Sequence, residues 1–172
     1  MFLKSLTIRR FFWYNNDMKI AVINCKDRAL AGVIRQAVKD TLRAEGQPGN
    51  LEVSVRLMSA DEIHQLNQVT RGVDRPTDVL SYPSLNIVAG EKVPQSALVE
   101  SSFDGKNIYL GDCALCIEVA ARQAVEFGVT QEYEVRKLIA HSILHLCGYD
   151  HIKDSDFEKM HAREKEILNC DD

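Results

Sequence analysis

Residues 141 to 151 read His-Ser-Ile-Leu-His-Leu-Cys-Gly-Tyr-Asp-His. His141 and His145 are four apart, which on a helix sets them one turn apart on the same face. Gly148 supplies the left-handed residue that ends such a helix and folds the chain back. His151 then arrives as a third imidazole. Three neutral histidine nitrogens hold a first-row metal at roughly 2.0–2.1 Å and leave a fourth position free for water. An open position of this kind points to catalysis or substrate binding rather than to a structural clip. The expectation is one zinc per chain, held by His141, His145 and His151, although nickel or copper would suit the same three imidazoles.

A lone helical His-x-x-x-His pair is often two ordinary, partly buried histidines. Here the pair, the glycine and the third histidine occur together, and three of the five histidines fall within eleven residues. The spacing His-x-x-x-His-x-x-Gly-x-x-His is also that of the metzincin proteases, which carry a glutamate directly after the first histidine as general base. This chain has Ser142 there. A serine hydroxyl is too weak a base at neutral pH to replace a carboxylate. The metal geometry survives and the peptidase base does not.

The same stretch resembles the signature of the YbeY family, bacterial metal-dependent endoribonucleases of ribosomal RNA maturation. It matches from His141 to His151, except that Ser142 stands where the family usually has glycine. A second block of resemblance comprises Leu66-Asn67, Arg71-Gly72 and Pro76-Thr77-Asp78-Val79-Leu80-Ser81-Tyr82-Pro83; a third is Leu110-Gly111-Asp112. The histidine block is highly specific, the Pro-Thr-Asp-Val-Leu-Ser block fairly so, and Leu-Gly-Asp alone would mean little. Together they span most of residues 19 to 168.

The resemblance implies a four-stranded sheet with the metal helix packed beside it. It implies catalytic roles for Arg71 and His141, and action on single-stranded RNA. It further implies maturation of small-subunit ribosomal RNA near its 3′ end, a role in ribosome quality control, and the small ribosomal subunit with its assembly factors as partners. Neither DNA nor a membrane is expected. Arg71 read alone is a solvated loop charge. In the family's place it becomes a phosphate clamp, because a guanidinium fork donates two parallel hydrogen bonds and stays charged throughout turnover. The general base is not identifiable; Asp112 and Asp150 sit in family-like motifs where either could simply orient a histidine. Two rivals remain: a zinc metallopeptidase of metzincin-like spacing, and a non-catalytic ribosome-assembly factor with a structural zinc.

Composition agrees with a small enzyme. The 172 residues suffice for one domain with a sizeable core. No apolar run approaches the roughly 20 residues of a membrane span. Five cysteines with no regular framework and no convincing export signal suggest a reducing cytoplasm. The net charge of −4 is uneven: residues 1–86 carry 12 basic and 9 acidic side chains, residues 87–172 carry 9 and 16. Residues 1–17, with Phe11-Phe12-Trp13-Tyr14 beside three basic residues, read as an N-terminal extension of unclear role, ahead of a domain spanning 18–172.

The elements that must position these groups alternate. Lys19–Asn24 is a short β run, followed by a helix over about Asp27–Glu45. On that helix Arg28, Arg35, Lys39 and Arg43 share one face, a solvated stripe or a phosphate-facing one, while Leu30, Ile34, Ala37, Val38, Thr41 and Leu42 share the other. Leu51 to Leu57 alternates as a strand, and Ser59-x-x-Glu62 is a capping box opening a short helix. Thr77–Tyr82 and Asn107–Leu110 read as strands, with an aperiodic stretch over 84–106 between them. Helices follow over about Ala114–Phe127, Glu132–Cys147 and Ser155–Leu168. The fold class is α+β: a small mixed sheet of about four strands, with a C-terminal helical part carrying the metal site. Cys113-x-x-Cys116 reads as structural thiols, and His161 as a surface residue or an outer partner of the site.

Overall fold

The structure is a computed structural model that describes residues 18–98 and 106–169. The expected extension over residues 1–17 lies outside the described residues. Strands β1 (Lys19–Ile23), β2 (Leu51–Met58), β3 (Val79–Pro83) and β4 (Ile108–Cys116) form one sheet in the order β1-β2-β4-β3. β1, β2 and β4 run parallel, and β3 pairs antiparallel with β4. Five helices accompany them among the described residues: α1 (Arg28–Ala44), α2 (Ala60–Arg71), α3 (Ile117–Phe127), α4 (Gln131–Leu146) and α5 (Asp154–Leu168). The molecule is the α+β single domain with a four-stranded mixed sheet that the sequence pattern indicates.

Local chemistry sets the helix ends. The Asp27 carboxylate accepts from the backbone N–H groups of Ala29 and Leu30 at 2.8 and 3.2 Å, which opens α1. At α2 both halves of the capping box form: Glu62 N donates to Ser59 Oγ, and Ser59 N donates to Glu62 Oε2. That helix runs further than its apolar residues suggest. Arg71 occupies its last turn and Gly72 closes it with φ of 71°, so Arg71 stands on a helix end rather than in a loop.

Alternation in β2 sends Leu51, Val53 and Val55 into the core. They meet Ile34, Val38 and Leu42 of α1 and Val135, Ile139 and Ile143 of α4. A smaller cluster on the other face joins Ile63 of α2 to Leu80, Ala114 and Cys116. β4 therefore has apolar neighbours on both faces. It shows no alternation, and it runs to Cys116 where the sequence pattern had already begun a helix at Ala114. Cys113 and Cys116, three apart on a strand, fall in different clusters on opposite faces and form no pair.

α4 is the centre of the molecule. Most of its side chains are buried, because α1, α3, α5 and the sheet surround it. The stretch after β3 is pinned on top of its end. Gln47 donates to Glu91 O and accepts from Val93 N, each at 2.9 Å, and Val93 and Ala97 enter the core. Gly148, at φ of 88°, lies under this crossing. A Cβ there would come within 2.0 Å of Ile87 O, so glycine is required twice over, by conformation and by space.

Candidate metal centre

α4 carries His141 and His145 one turn apart on the side that faces a cleft of about 870 Å³. Cys147 and Gly148 then turn the chain, and His151 swings back toward the pair. Its ring centroid lies 5.4 Å from that of His141 and 5.0 Å from that of His145. One nitrogen from each of the three rings falls within 4.8 Å of the others. Among the described residues this is the group of three or more histidine, cysteine or acidic side chains that could hold a metal ion.

The far side of each helical imidazole is fixed. His145 Nδ1 lies 2.9 Å from Tyr149 O, and a carbonyl can only accept, so the proton sits on Nδ1. His141 Nδ1 lies 2.6 Å from Glu164 Oε1, whose carboxylate holds the proton there in the same way. Both Nε2 lone pairs are thereby aimed into the cleft, 3.1 Å from each other. Two bare lone pairs at that separation repel, and a cation between them turns the repulsion into ligation. Burial, and next the neighbouring His141, push the His145 pKa down to about 4, so this ring is neutral and ligand-ready at pH 7. The donor set thus fits a first-row metal such as zinc.

Glu164 is the residue that the sequence pattern did not disclose. It lies 23 positions beyond His141 on another helix, and its other oxygen is 3.8 Å from His161 Nδ1. His161 is exposed and stacks on Phe157, which places it outside the histidine trio. Neither aspartate considered from the sequence orients a ring. Asp112 is exposed on β4 and does not line the cleft. Asp150 lines it, but its Oδ1 accepts from the His151 backbone N–H at 2.7 Å.

A second layer of contacts holds these partners. The Glu45 side chain, only 3% exposed, accepts from Tyr149 Oη at 2.9 Å and from Arg163 Nε at 2.6 Å. Tyr149 supplies the carbonyl behind His145, and Arg163 adjoins the Glu164 behind His141. Arg163 also donates to Ala44 O and to Glu166. One carboxylate at the end of α1 therefore braces both histidine partners.

Ser142, one residue after His141, points the other way. It is fully buried, with its Oγ 2.8 Å from Ser81 Oγ and 2.8 Å from Cys113 Sγ. A hydroxyl there stitches α4 to β3 and β4. The Cys113 thiol is pushed up to about 12 by its burial, against the opposing Ser142 bond, and Cys147 rises to about 12 for the same cause. Both are neutral, structural thiols.

Arg71 reaches the same cleft from the end of α2. Its Nη2 donates to Ser81 O at 3.1 Å and its guanidinium lies 5.9 Å from the centre of the Tyr82 ring. Ser81 thus touches two walls of the cleft: its carbonyl holds Arg71 and its hydroxyl holds the helix of the histidines. The motif Leu110-Gly111-Asp112, weak as a sequence signal, has a structural reason. Gly111 has φ of 146°, and a Cβ would come within 2.4 Å of Tyr82 O in β3, the strand that carries Ser81.

A family model described as endoribonuclease YbeY matches residues 14–170 of the chain. Curated relatives carrying that name include one from Clostridium botulinum, 38% identical over 141 residues, covering 80% of this chain and 85% of the relative. Another from Clostridium acetobutylicum is 39% identical, covering 83% and 89% respectively. A third from Caldicellulosiruptor saccharolyticus is 36% identical, covering 88% and 96%. The fold resembles the solution structure of a Thermotoga maritima protein with a TM-score of 0.52 at 30% identity, over 88% of this chain and 89% of that one. Sequence likeness of this depth, running through the cleft and its histidines, means that the chain belongs to the endoribonuclease YbeY family.

Proposed function

We propose that the protein is a zinc-dependent endoribonuclease that cuts single-stranded RNA. Its physiological substrate is ribosomal RNA, matured at the 3′ end of the small-subunit species, with the small subunit and its assembly factors as partners. The domain that does this spans residues 18–172, and it works in the cytoplasm. One observation carries the reading: three converging histidines and Arg71 line one open cleft. Among the described residues no helix is long and apolar enough to cross a membrane.

His141, His145 and His151 would hold the metal, which supplies Lewis-acid polarisation of a phosphoryl oxygen or of a water when bound. Glu164 and Tyr149 O keep the Nδ1 protons in place, so both helical rings present a lone pair without reorganising. Arg71, steadied by Ser81 O, holds the scissile phosphate and stabilises the charge that develops on it. The peptidase alternative has no base where that chemistry needs one. The residue after His141 is a serine whose hydroxyl is sealed against Ser81 and Cys113.

The deciding experiment pairs metal analysis with cleavage of single-stranded RNA before and after chelation. About one zinc per chain and chelator-sensitive cleavage are expected. His141→Ala, His145→Ala and His151→Ala should each abolish tight metal binding while the fold persists. Undiminished metal in one variant would strike that residue from the ligand set. A chain that unfolds when stripped would favour the structural-zinc rival, and chelator-sensitive proteolysis with RNA left whole would favour the peptidase.

A further inference from the structure

The cleft continues past the histidines, and its far end has a chemistry of its own. Glu134, Lys137, Leu138, His141 and His145 all lie on the cleft side of α4 and all line it. With 1.5 Å of rise per residue, Lys137 stands about 6 Å along the helix axis from His141. Opposite it is Phe127, the last residue of α3, which also lines the cleft and is 56% exposed. Lys137 Nζ sits 5.0 Å from the centre of the Phe127 ring and 3.4 Å from Glu134 Oε1. The Glu134 side chain is only 1% exposed, so it works from inside the wall, steering the ammonium group toward the ring. A large aromatic side chain more than half open to water, with a lysine already at its ring, is a poor core residue and a good stacking platform.

The cleft offers an anionic chain two cations, against four carboxylates whose oxygens already have partners. Its cations are Arg71 and Lys137. Its carboxylates are engaged: Asp78 accepts from Thr77 Oγ1, Val79 N and Gln123 Nε2, Glu134 pairs with Lys137, Glu164 serves His141, and Asp150 accepts from His151 N. We propose that Phe127 and Lys137 form a nucleotide subsite, in which the ring stacks on one base of single-stranded RNA and the ammonium group contacts the phosphate of the same nucleotide. The subsite rests on the endoribonuclease reading and adds to it a grip on the strand one helical turn from the metal ligands. Stacking of this kind accepts every base, because every base has a π-face.

Steady-state cleavage of a short single-stranded RNA by the zinc-loaded full chain tests it. Phe127→Ala should raise KM roughly 5- to 150-fold, the range expected for one stacked base, with kcat and zinc content little changed. Phe127→Leu keeps an apolar side chain of similar bulk and should raise KM as Ala does, whereas Phe127→Trp should keep it low. Against a strand made abasic at the stacked position, the unmodified protein and Phe127→Ala should have equal KM. Lys137→Met should flatten the dependence of log KM on log salt by about 0.7, the value of one phosphate contact on a single strand. Full recovery by Phe127→Leu, or an unchanged KM for Phe127→Ala while the unmodified protein cuts RNA, would overturn the subsite and leave the endoribonuclease reading standing. An unmodified, metal-loaded protein that cuts no RNA would remove both.

Discussion

On the sheet side of α4, Ser142 is sealed between Ser81 and Cys113 and no water reaches it. On the cleft side, one residue earlier, His141 keeps its Nε2 lone pair in the open and anchors itself only through Nδ1. Adjacent residues of one helix thus spend their polar atoms oppositely: the first on a ligand to come, the second on docking the helix that holds it. The rigidity of the sheet face is what allows the cleft face to hold lone pairs close together without relaxing. A helix docked by apolar contacts alone could slide or roll, while one pinned by a buried hydroxyl has a fixed register.

If that division is right, damage to the two faces should differ in kind. The largest effect belongs to Ser142→Glu, the substitution that would imitate a peptidase. A carboxylate cannot stay charged against Cys113 and β3 without costing several kcal/mol, so the folded, soluble protein should be lost. A well-folded S142E with a normal melting transition would show that the face is not sealed. Next comes Arg71→Ala, which should keep zinc content and melting temperature while RNA cleavage falls about 10²–10³-fold. Arg71→Lys should recover part of this, because an ammonium cannot reproduce the two-pronged contact. Cleavage at the unmodified rate would return Arg71 to an ordinary surface charge.

Glu164→Gln sharpens the comparison further, since it acts on the far side of His141, with the exposed His161 as the only other ion-pair partner of Glu164 among the described residues. The amide can offer its oxygen to the same Nδ1–H but carries no charge. Zinc affinity should drop about 10- to 100-fold with the fold intact, read by competition with a chromogenic chelator. Affinity equal to that of the unmodified protein would mean that Glu164 does not orient the ring. The smallest effect lies under the sheet face. Cys113 and Cys147 have thiols raised to about 12. A raised pKa keeps the thiol protonated until pH approaches 12, so at pH 8 only about 10⁻⁴ of either is thiolate. Both should resist iodoacetamide at pH 8 in the folded protein and react once it is unfolded. Rapid labelling of either in the native state would expose an opening that the structure does not show.

The histidine constellation was legible because helix period, terminating glycine and ligand chemistry all act over eleven adjacent residues. So were the capping box at Ser59 and the alternation of β2, which are equally local. What escaped is nonlocal. β4 hid its length because both of its faces are buried, which removes the alternation that marks a strand. α2 hid its last turns because Gln68, Thr70 and Arg71 face solvent and give no apolar period. Glu164, Glu45 and Arg163 look like ordinary surface charges in sequence, and only the packing of α1 and α5 against α4 makes them partners of the site. An acidic residue one turn after His161 was the sole local hint, and solvated helix faces carry many such pairs. For Ser142 the type was readable, yet its direction came only from the sheet.

The brace centred on Glu45 has a consequence in time as well as in space. Glu45 stands at the end of α1, and its partners Tyr149 and Arg163 lie 104 and 118 positions further along the chain. During synthesis the three histidines of the proposed metal site emerge before α5, and so before the carboxylate that orients His141 and the arginine beside it. A chain ending at His151 has all three imidazoles and lacks half of what aims the helical pair. Under the proposed metal reading, tight capture would therefore await α5, the last of the described helices to be made.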